Sequence, residues 1–123
     1  METKRILVCG GRDYTNKNLV YKVLNAAKLA HNIECIISGM ARGADTFGVD
    51  WDHDNGVYLL PFSANWNKYG MKLAGPIRNQ QMIDEGKPNL VFAFPGGTGT
   101  KDMCRRAKKA GIVVLSIRDN ELF

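Results

Sequence analysis

Apolar positions along the chain follow two patterns, one typical of buried strands and the other of amphipathic helices. Short apolar runs predict five strands, at residues 5–9, 34–38, 57–62, 90–94 and 112–117. Spacings of three and four residues, with capping residues, predict helices at 19–30, 44–55, 76–85 and 99–110. Thr15 or Asn16 is the expected cap of the first helix, and residues 63–74 are predicted to be a loop.

Strands that alternate with helices indicate an α/β fold whose parallel sheet is covered by helices on both faces. Right-handed crossovers leave few topologies, and the strand order 3-2-1-4-5 is the commonest doubly wound arrangement. In that order the first and fourth strands are neighbours, and ligands bind in the crevice at their carboxyl ends. The 123 residues are expected to form one domain, 1–123.

The composition, with 45% hydrophobic and 24% charged residues, is that of an ordinary globular protein. No apolar run approaches the ~20 residues of a membrane span, and the first residues do not resemble a signal peptide. We therefore expect a cytoplasmic protein without membrane contact. Cys9, Cys35 and Cys104 form no CxxC pair, and neither histidine has ligand-like spacing, so neither a metal site nor a cofactor is predicted.

The formal net charge of +5 favours anionic partners but does not separate a nucleotide from a nucleic acid. The densest basic cluster, 105–109, falls in the last turns of a predicted helix. Cations are stabilised there by the helix dipole, so this cluster indicates helix stability first and a nucleic-acid surface second.

The segment PGGTGT, residues 95–100, connects the fourth strand to the next helix. Glycines let backbone N–H groups approach an anion closely, and the helix N-terminus adds about half a positive charge. Thr98 and Thr100 supply hydroxyl donors, so a phosphate is the predicted occupant. The segment matches neither a Walker A motif nor a dinucleotide fingerprint, and it therefore indicates neither ATP hydrolysis nor hydride transfer.

Other polar residues also follow the predicted strands. Arg12, Arg42 and Arg78 are predicted to lie at or near the carboxyl ends of the strands, beside the crevice. Guanidinium groups can bind a phosphate there in a bidentate manner. Asp13, Asp45 and Asp102 are the nearby carboxylates. Asp45 is a candidate N-cap and Asp102 a first-turn carboxylate, and either could instead bind a ribose hydroxyl or act as a base. In the nucleotide-binding hypothesis, Asp45 or Asp13 contacts the ribose or the base. Trp66, Tyr69 and Tyr14 could supply a flat surface for a nucleobase.

These motifs resemble the YspA-type branch of the SLOG superfamily. The resemblance rests on Gly10-Gly11-Arg12-Asp13, on residues 39–45, on Trp66 with Tyr69-Gly70 and Ala74-Gly75, on Arg78-Asn79 with Met82, and on residues 94–102. It covers nearly the whole chain and implies a Rossmann-like fold that binds a nucleotide-type ligand. Relatives of this kind include sensors of NAD- or ADP-ribose-derived signals, Lonely-guy phosphoribohydrolases and DNA-processing proteins that load single-stranded DNA.

The Lonely-guy enzymes cleave the N-glycosidic bond of nucleoside 5′-monophosphates with an arginine and a glutamate. Arg78, followed by Met82, and residues 95–100 resemble their signature, but Met103 occupies the glutamate position. A thioether cannot act as an acid or base. Asp102 lies one residue earlier, which on a helix turns its side chain by roughly 100°.

The leading hypothesis is therefore a protein that senses or sequesters a nucleoside monophosphate or an ADP-ribose-like ligand. The alternatives are a nucleotide N-glycosidase with Arg78 and Asp102 as catalytic residues, and a single-stranded nucleic-acid binder. The resemblance is also compatible with a homo-oligomer. The candidate ligand-binding residues are Gly10, Gly11, Arg12, Asp13, Ser38, Gly39, Arg42, Gly43, Asp45, Trp66, Arg78, Asn79, Pro95, Gly96, Gly97, Thr98, Gly99 and Thr100.

Overall fold

The computed structural model describes residues 2–119, which form a five-stranded parallel sheet flanked by four helices. The elements are β1 (Thr3–Cys9), α1 (Lys17–Ala30), β2 (Asn32–Ser38), α2 (Ala44–Asn55), β3 (Tyr58–Pro61), α3 (Trp66–Asp84), β4 (Leu90–Ala93), α4 (Thr98–Lys109) and β5 (Val113–Ser116). The strand order is β3-β2-β1-β4-β5 and every neighbouring pair is parallel. The predicted α/β class and strand order are confirmed.

The two faces of the sheet bury separate apolar clusters because successive side chains of a strand point to opposite sides. Ile6 and Val8 of β1 pack with α1 and with Trp51 of α2 on one face. Leu7 and Cys9 pack with residues of α3 and α4 on the other. Burial on both faces explains why the strand sequences are continuous apolar runs rather than alternating ones.

The helix caps decide between alternatives that the sequence leaves open. Asn16 is the cap of α1, and its side chain accepts a hydrogen bond from the Leu19 amide at 3.1 Å. Gly43 is the cap of α2, so Asp45 lies in the first turn of that helix and is not its N-cap.

The prediction of a loop over residues 63–74 is wrong for most of its length, because α3 begins at Trp66. The Asn65 side chain accepts a hydrogen bond from the Lys68 amide and caps this early start. Gly70, with φ of 78°, interrupts the helical geometry, and the helix then runs on through Pro76. Proline is favoured in a first turn, which suggested a later start, but here it lies inside a helix.

Among the described residues, no helix is both long enough and apolar enough to cross a membrane.

Candidate functional site

Three of the loops that follow strands meet at the backbone of Gly11. The Gly11 amide donates to the Pro95 carbonyl at 2.9 Å, which joins the loop after β1 to the loop after β4. The Gly11 carbonyl accepts from the Ala44 amide at 3.3 Å, at the start of α2. Gly43, with φ of 76°, must be a glycine, because a Cβ there would collide with the Gly11 carbonyl oxygen and lie 2.8 Å from that of Arg12. The loops after β1, β2 and β4 therefore form one packed unit.

A cavity of about 770 Å³ opens beside this unit, and we call it the switch-point cavity. It lies at the carboxyl ends of β1 and β4, where the topology reverses. Twelve of the residues predicted from sequence line it: Gly10, Gly11, Arg12, Asp45, Trp66, Arg78, Asn79, Gly97, Thr98, Gly99, Thr100 and Asp102. Its volume is within the range of small-molecule sites.

Seven other predicted residues do not line this cavity. Asp13 and Arg42 are exposed elsewhere. Ser38, Gly39 and Gly43 shape the loop after β2, where the Ser38 hydroxyl accepts from the Met40 amide at 3.0 Å. Pro95 and Gly96 border a neighbouring groove instead.

The glycines of PGGTGT differ in what requires them. A Cβ at Gly96 would collide with the Thr100 hydroxyl and would lie 2.6 Å from the Gly11 amide nitrogen, so packing requires this glycine. A Cβ at Gly97 or Gly99 would meet no atom of the described residues within 4 Å. Neither has the positive φ that favours glycine. Packing therefore does not require glycine at positions 97 and 99. The absence of side chains there leaves open space beside the cavity.

The N-terminus of α4 faces the same space without a side-chain cap. Its N-cap is Gly97, no side chain of residues 2–119 caps it by a hydrogen bond, and the first turn holds no acidic residue. The first amides of a helix have no intrahelical partners and carry partial positive charge. Together with the hydroxyls of Thr98 and Thr100, they are arranged to accept an anion.

The side chains of Arg78 and Asp45 lie against Gly39. A Cβ on Gly39 would lie 2.8 Å from a guanidinium nitrogen of Arg78 and 3.0 Å from a carboxylate oxygen of Asp45. Arg78 donates to the Gly39 carbonyl at 2.6 Å, and Asp45 accepts from the Ala41 amide at 3.2 Å. Burial raises the pKa of Asp45 to about 6, although the Ala41 amide, Arg78 and Arg12 act in the opposite direction. Burial also lowers the pKa of Arg78.

Asp102 is engaged by three donors. Its carboxylate accepts from Arg105 at 2.5 Å, from Arg106 at 2.8 Å and from the Asn79 amide at 3.0 Å. Burial by itself would raise the pKa of Asp102, but hydrogen bonds from Arg106 and Asn79 hold it below the usual range. A carboxylate so firmly kept in its charged form is suited to joining α3 to α4, and it is a poor proton donor.

The aromatic candidates separate into one that faces the cavity and two that do not. Trp66 lines it, and the Arg12 guanidinium lies 5.2 Å from the centre of the Trp66 ring. Tyr14 is buried against Phe94, with ring centres 5.7 Å apart, and its hydroxyl donates to Asp119. Tyr69 does not line the cavity. Trp66 is therefore the one of the three that can offer its ring to a ligand.

The chain is similar in sequence to a known protein family. A family model described as the YspA, cpYpsA-related SLOG family matches residues 4–69, more than half of the chain. The chain belongs to this SLOG family. It is also 32% identical over 126 residues to the Gene 61 protein of Mycobacterium phage D29, in an alignment that covers 94% of this chain and 98% of that protein.

Two solved structures share the fold of the SLOG chain. DNA processing protein A from Streptococcus pneumoniae matches with a TM-score of 0.76 and 21% identity over 98% of this chain, which spans 52% of that structure. The C-terminal domain of a Pyrococcus furiosus hydrogenase matches with a TM-score of 0.52 and 18% identity over 95% of each chain. The resemblance to the SLOG superfamily that the motifs carried is confirmed.

Met103, where the resemblance to the Lonely-guy enzymes predicts a catalytic glutamate, is buried in the core of the SLOG chain. It is 1% exposed and belongs to the apolar cluster that contains Leu7 and Met82. Cys9 and Cys104 lie in or against the same cluster, and a hydrogen bond between their thiols lowers the pKa of Cys104 to about 7. No carboxylate reaches the cavity from position 103.

Three cations of the cavity were absent from the predicted site of this SLOG protein. Lys101 and Arg105 extend from α4, and Lys72 comes from the part of α3 that had been assigned to a loop. Lys101 directly follows PGGTGT in the sequence, so its position at the switch-point cavity could have been predicted. The basic cluster that contains Arg105 is predicted to serve helix stability first and a nucleic-acid surface second, because a sequence does not show which face of a helix borders a cavity.

Proposed function

We propose that the protein binds the phosphate of a nucleotide or nucleotide-derived ligand in the switch-point cavity. The observation that carries this proposal is the pairing of Gly97 and Gly99, which packing does not require, with the uncapped N-terminus of α4. Backbone amides, two threonine hydroxyls and a helix dipole there favour a phosphate. Membership of the SLOG family and the DNA-processing relative of the same fold support a nucleotide-related role.

The other groups of the cavity are suited to the rest of a nucleotide. Arg12 and Arg78 add positive charge near the phosphate. Asp45 is the cavity carboxylate that retains capacity to accept a bond from a ribose hydroxyl, since Asp102 is already engaged by three donors. Trp66 offers a ring on which a base can stack. A nucleoside monophosphate or an ADP-ribose-like ligand satisfies this arrangement, which suits a sensor or a sequestering protein.

A thermal-shift screen with AMP and ADP-ribose tests the proposal. A ligand at 100 times its dissociation constant should raise the free energy of unfolding by about 2.7 kcal/mol. Gly97→Val should abolish the shift while the free protein stays folded, because a Cβ at this position meets no atom of residues 2–119 within 4 Å. Arg12→Ala should weaken the shift, whereas the matched variant Arg42→Ala, outside the cavity, should retain it. If no nucleotide stabilises the wild-type protein, the proposal is wrong.

A second candidate function, cleavage of the N-glycosidic bond of a nucleoside monophosphate, is favoured by one observation. Asp45 is a buried cavity carboxyl whose pKa is raised to about 6, a value suited to a general acid near neutral pH. Under the leading proposal, AMP incubated with the protein releases no more adenine than it does with Asp45→Asn, as measured by chromatography. Release by the wild type that Asp45→Asn abolishes would establish the hydrolase instead.

A further inference from the structure

A second concave surface lies on the other side of the PGGTGT loop, and we call it the β5 groove. Its volume is about 730 Å³, and it runs between the ends of β4 and β5 and the side of α4. Pro95 and Gly96 border the β5 groove, while Gly97 and Gly99 border the switch-point cavity. Thr100, Lys101 and Arg105 line both. One loop therefore separates two adjoining spaces.

Among residues 2–119, four basic side chains and no aspartate or glutamate line the β5 groove. They are Lys101, Arg105, Lys108 and Arg118, and all four are exposed. The switch-point cavity, in contrast, includes the carboxylates Asp45 and Asp102. A concave surface lined by charges of one sign concentrates ligands of the opposite sign.

Helix stability accounts for only part of this charge. Lys108 lies in the last turn of α4, where a cation is favoured by the dipole. Lys101 lies near the start of α4, where the dipole disfavours a cation, and Arg118 follows β5 outside any helix. Within residues 2–119, neither of these two forms an ion pair. Arg105 pairs with Asp102, yet its side chain remains 70% exposed.

We propose that the β5 groove is a second phosphate-binding site and that the ligand carries a phosphoryl group on each side of the PGGTGT loop. This inference rests on the proposed function, because the first phosphate lies at the N-terminus of α4. The residues shared by both spaces, Thr100, Lys101 and Arg105, lie between the two phosphates. The preferred ligand is then a nucleotide with two separated phosphates, such as a nucleoside 3′,5′-bisphosphate, rather than a 5′-monophosphate.

The test compares the binding of adenosine 3′,5′-bisphosphate with that of AMP by isothermal titration calorimetry on the full chain. The wild type should bind the bisphosphate about tenfold more tightly, the gain expected from charge-assisted hydrogen bonds to one more phosphate. The double variant Lys108→Gln/Arg118→Gln, which changes residues that line the β5 groove alone, should lose this preference and keep its affinity for AMP.

The matched control is Lys28→Gln/Lys109→Gln, which removes the same charge from positions outside both spaces. It should keep the preference, and its loss there would show a general effect of net charge and would overturn the proposal. Equal affinity of the wild type for both ligands overturns the second site but leaves the proposed function standing. Absence of binding by either ligand at millimolar concentration, together with no stabilisation by ADP-ribose, overturns both.

Discussion

Gly96 and Gly97 are adjacent in the chain but serve different purposes. The first is needed because Thr100 and the Gly11 amide leave no room for a side chain, whereas the second faces open space. The sequence predicts that PGGTGT holds an anion, but it cannot assign each glycine to packing or to ligand access. That assignment depends on contacts between loops that are more than 80 residues apart, as in the bond from Gly11 to Pro95.

Asp52 is a buried residue whose importance was not visible in the sequence. It is 4% exposed, and one of its carboxylate oxygens has no hydrogen-bond partner within residues 2–119. Burial raises its pKa from the ordinary 3.8 to about 6, although the nearby His53 acts in the opposite direction. Because the folded state then binds more protons than the unfolded state between these values, ionisation of Asp52 lowers stability as pH rises from about 4 to 6.

Asp52→Asn should therefore raise the free energy of unfolding by roughly 1–3 kcal/mol at pH 7.5, because a neutral amide removes the cost of a buried charge. The gain should shrink as pH falls from 6 towards 4, where Asp52 becomes protonated in the folded state while it is only partly protonated in the unfolded state. Urea unfolding at several pH values measures it. The exposed neighbour Asp54→Asn is the control and should show no such gain. A gain that does not depend on pH would contradict the ionisation of Asp52 as its cause.

At the scale of elements, α3 departs most from the sequence-based prediction. Trp66 and Lys72, from the first part of α3, line the switch-point cavity. The helix is kinked at Gly70, which lies between them. Pro76 predicts a later start of this helix, since proline is favoured in a first turn and disfavoured in a helix interior. The helix instead begins at Trp66, where the Asn65 side chain caps it, and its geometry is interrupted at Gly70.

The bonds of Asp102 with Arg105, Arg106 and Asn79 should stabilise the α3–α4 pair. Asp102→Asn should lower the free energy of unfolding by about 1–3 kcal/mol, because two guanidinium groups lose a charged partner and the buried Asn79 loses an acceptor. Urea unfolding measures this loss, and the exposed Asp84→Asn on α3 is the control. Unchanged stability, with loss of any adenine release from AMP, would instead favour Asp102 as a catalytic residue.

At the scale of the whole molecule, the net charge of +5 attracts polyanions as well as nucleotides. If a small nucleotide is the ligand, a labelled single-stranded oligonucleotide should bind only weakly, with a Kd on the order of 10⁻⁴ to 10⁻⁶ M at physiological salt, and binding should weaken steeply as salt increases. Fluorescence anisotropy over a salt series measures this. A Kd well below micromolar at 150 mM salt would favour the nucleic-acid alternative. Self-association stays a prediction, as do the cytoplasmic location and the single domain.

The sequence by itself determined the α/β class, the strand order and the position of PGGTGT at the switch point. It could do so because apolar periodicity and right-handed crossovers act locally and leave few arrangements. Only the tertiary structure decided that Arg12 and Arg78 line the cavity while Arg42 does not, and that Asp102 is held by Arg105, Arg106 and Asn79. The direction of a loop side chain and the partners of a helix face depend on contacts distant in sequence, which periodicity does not encode.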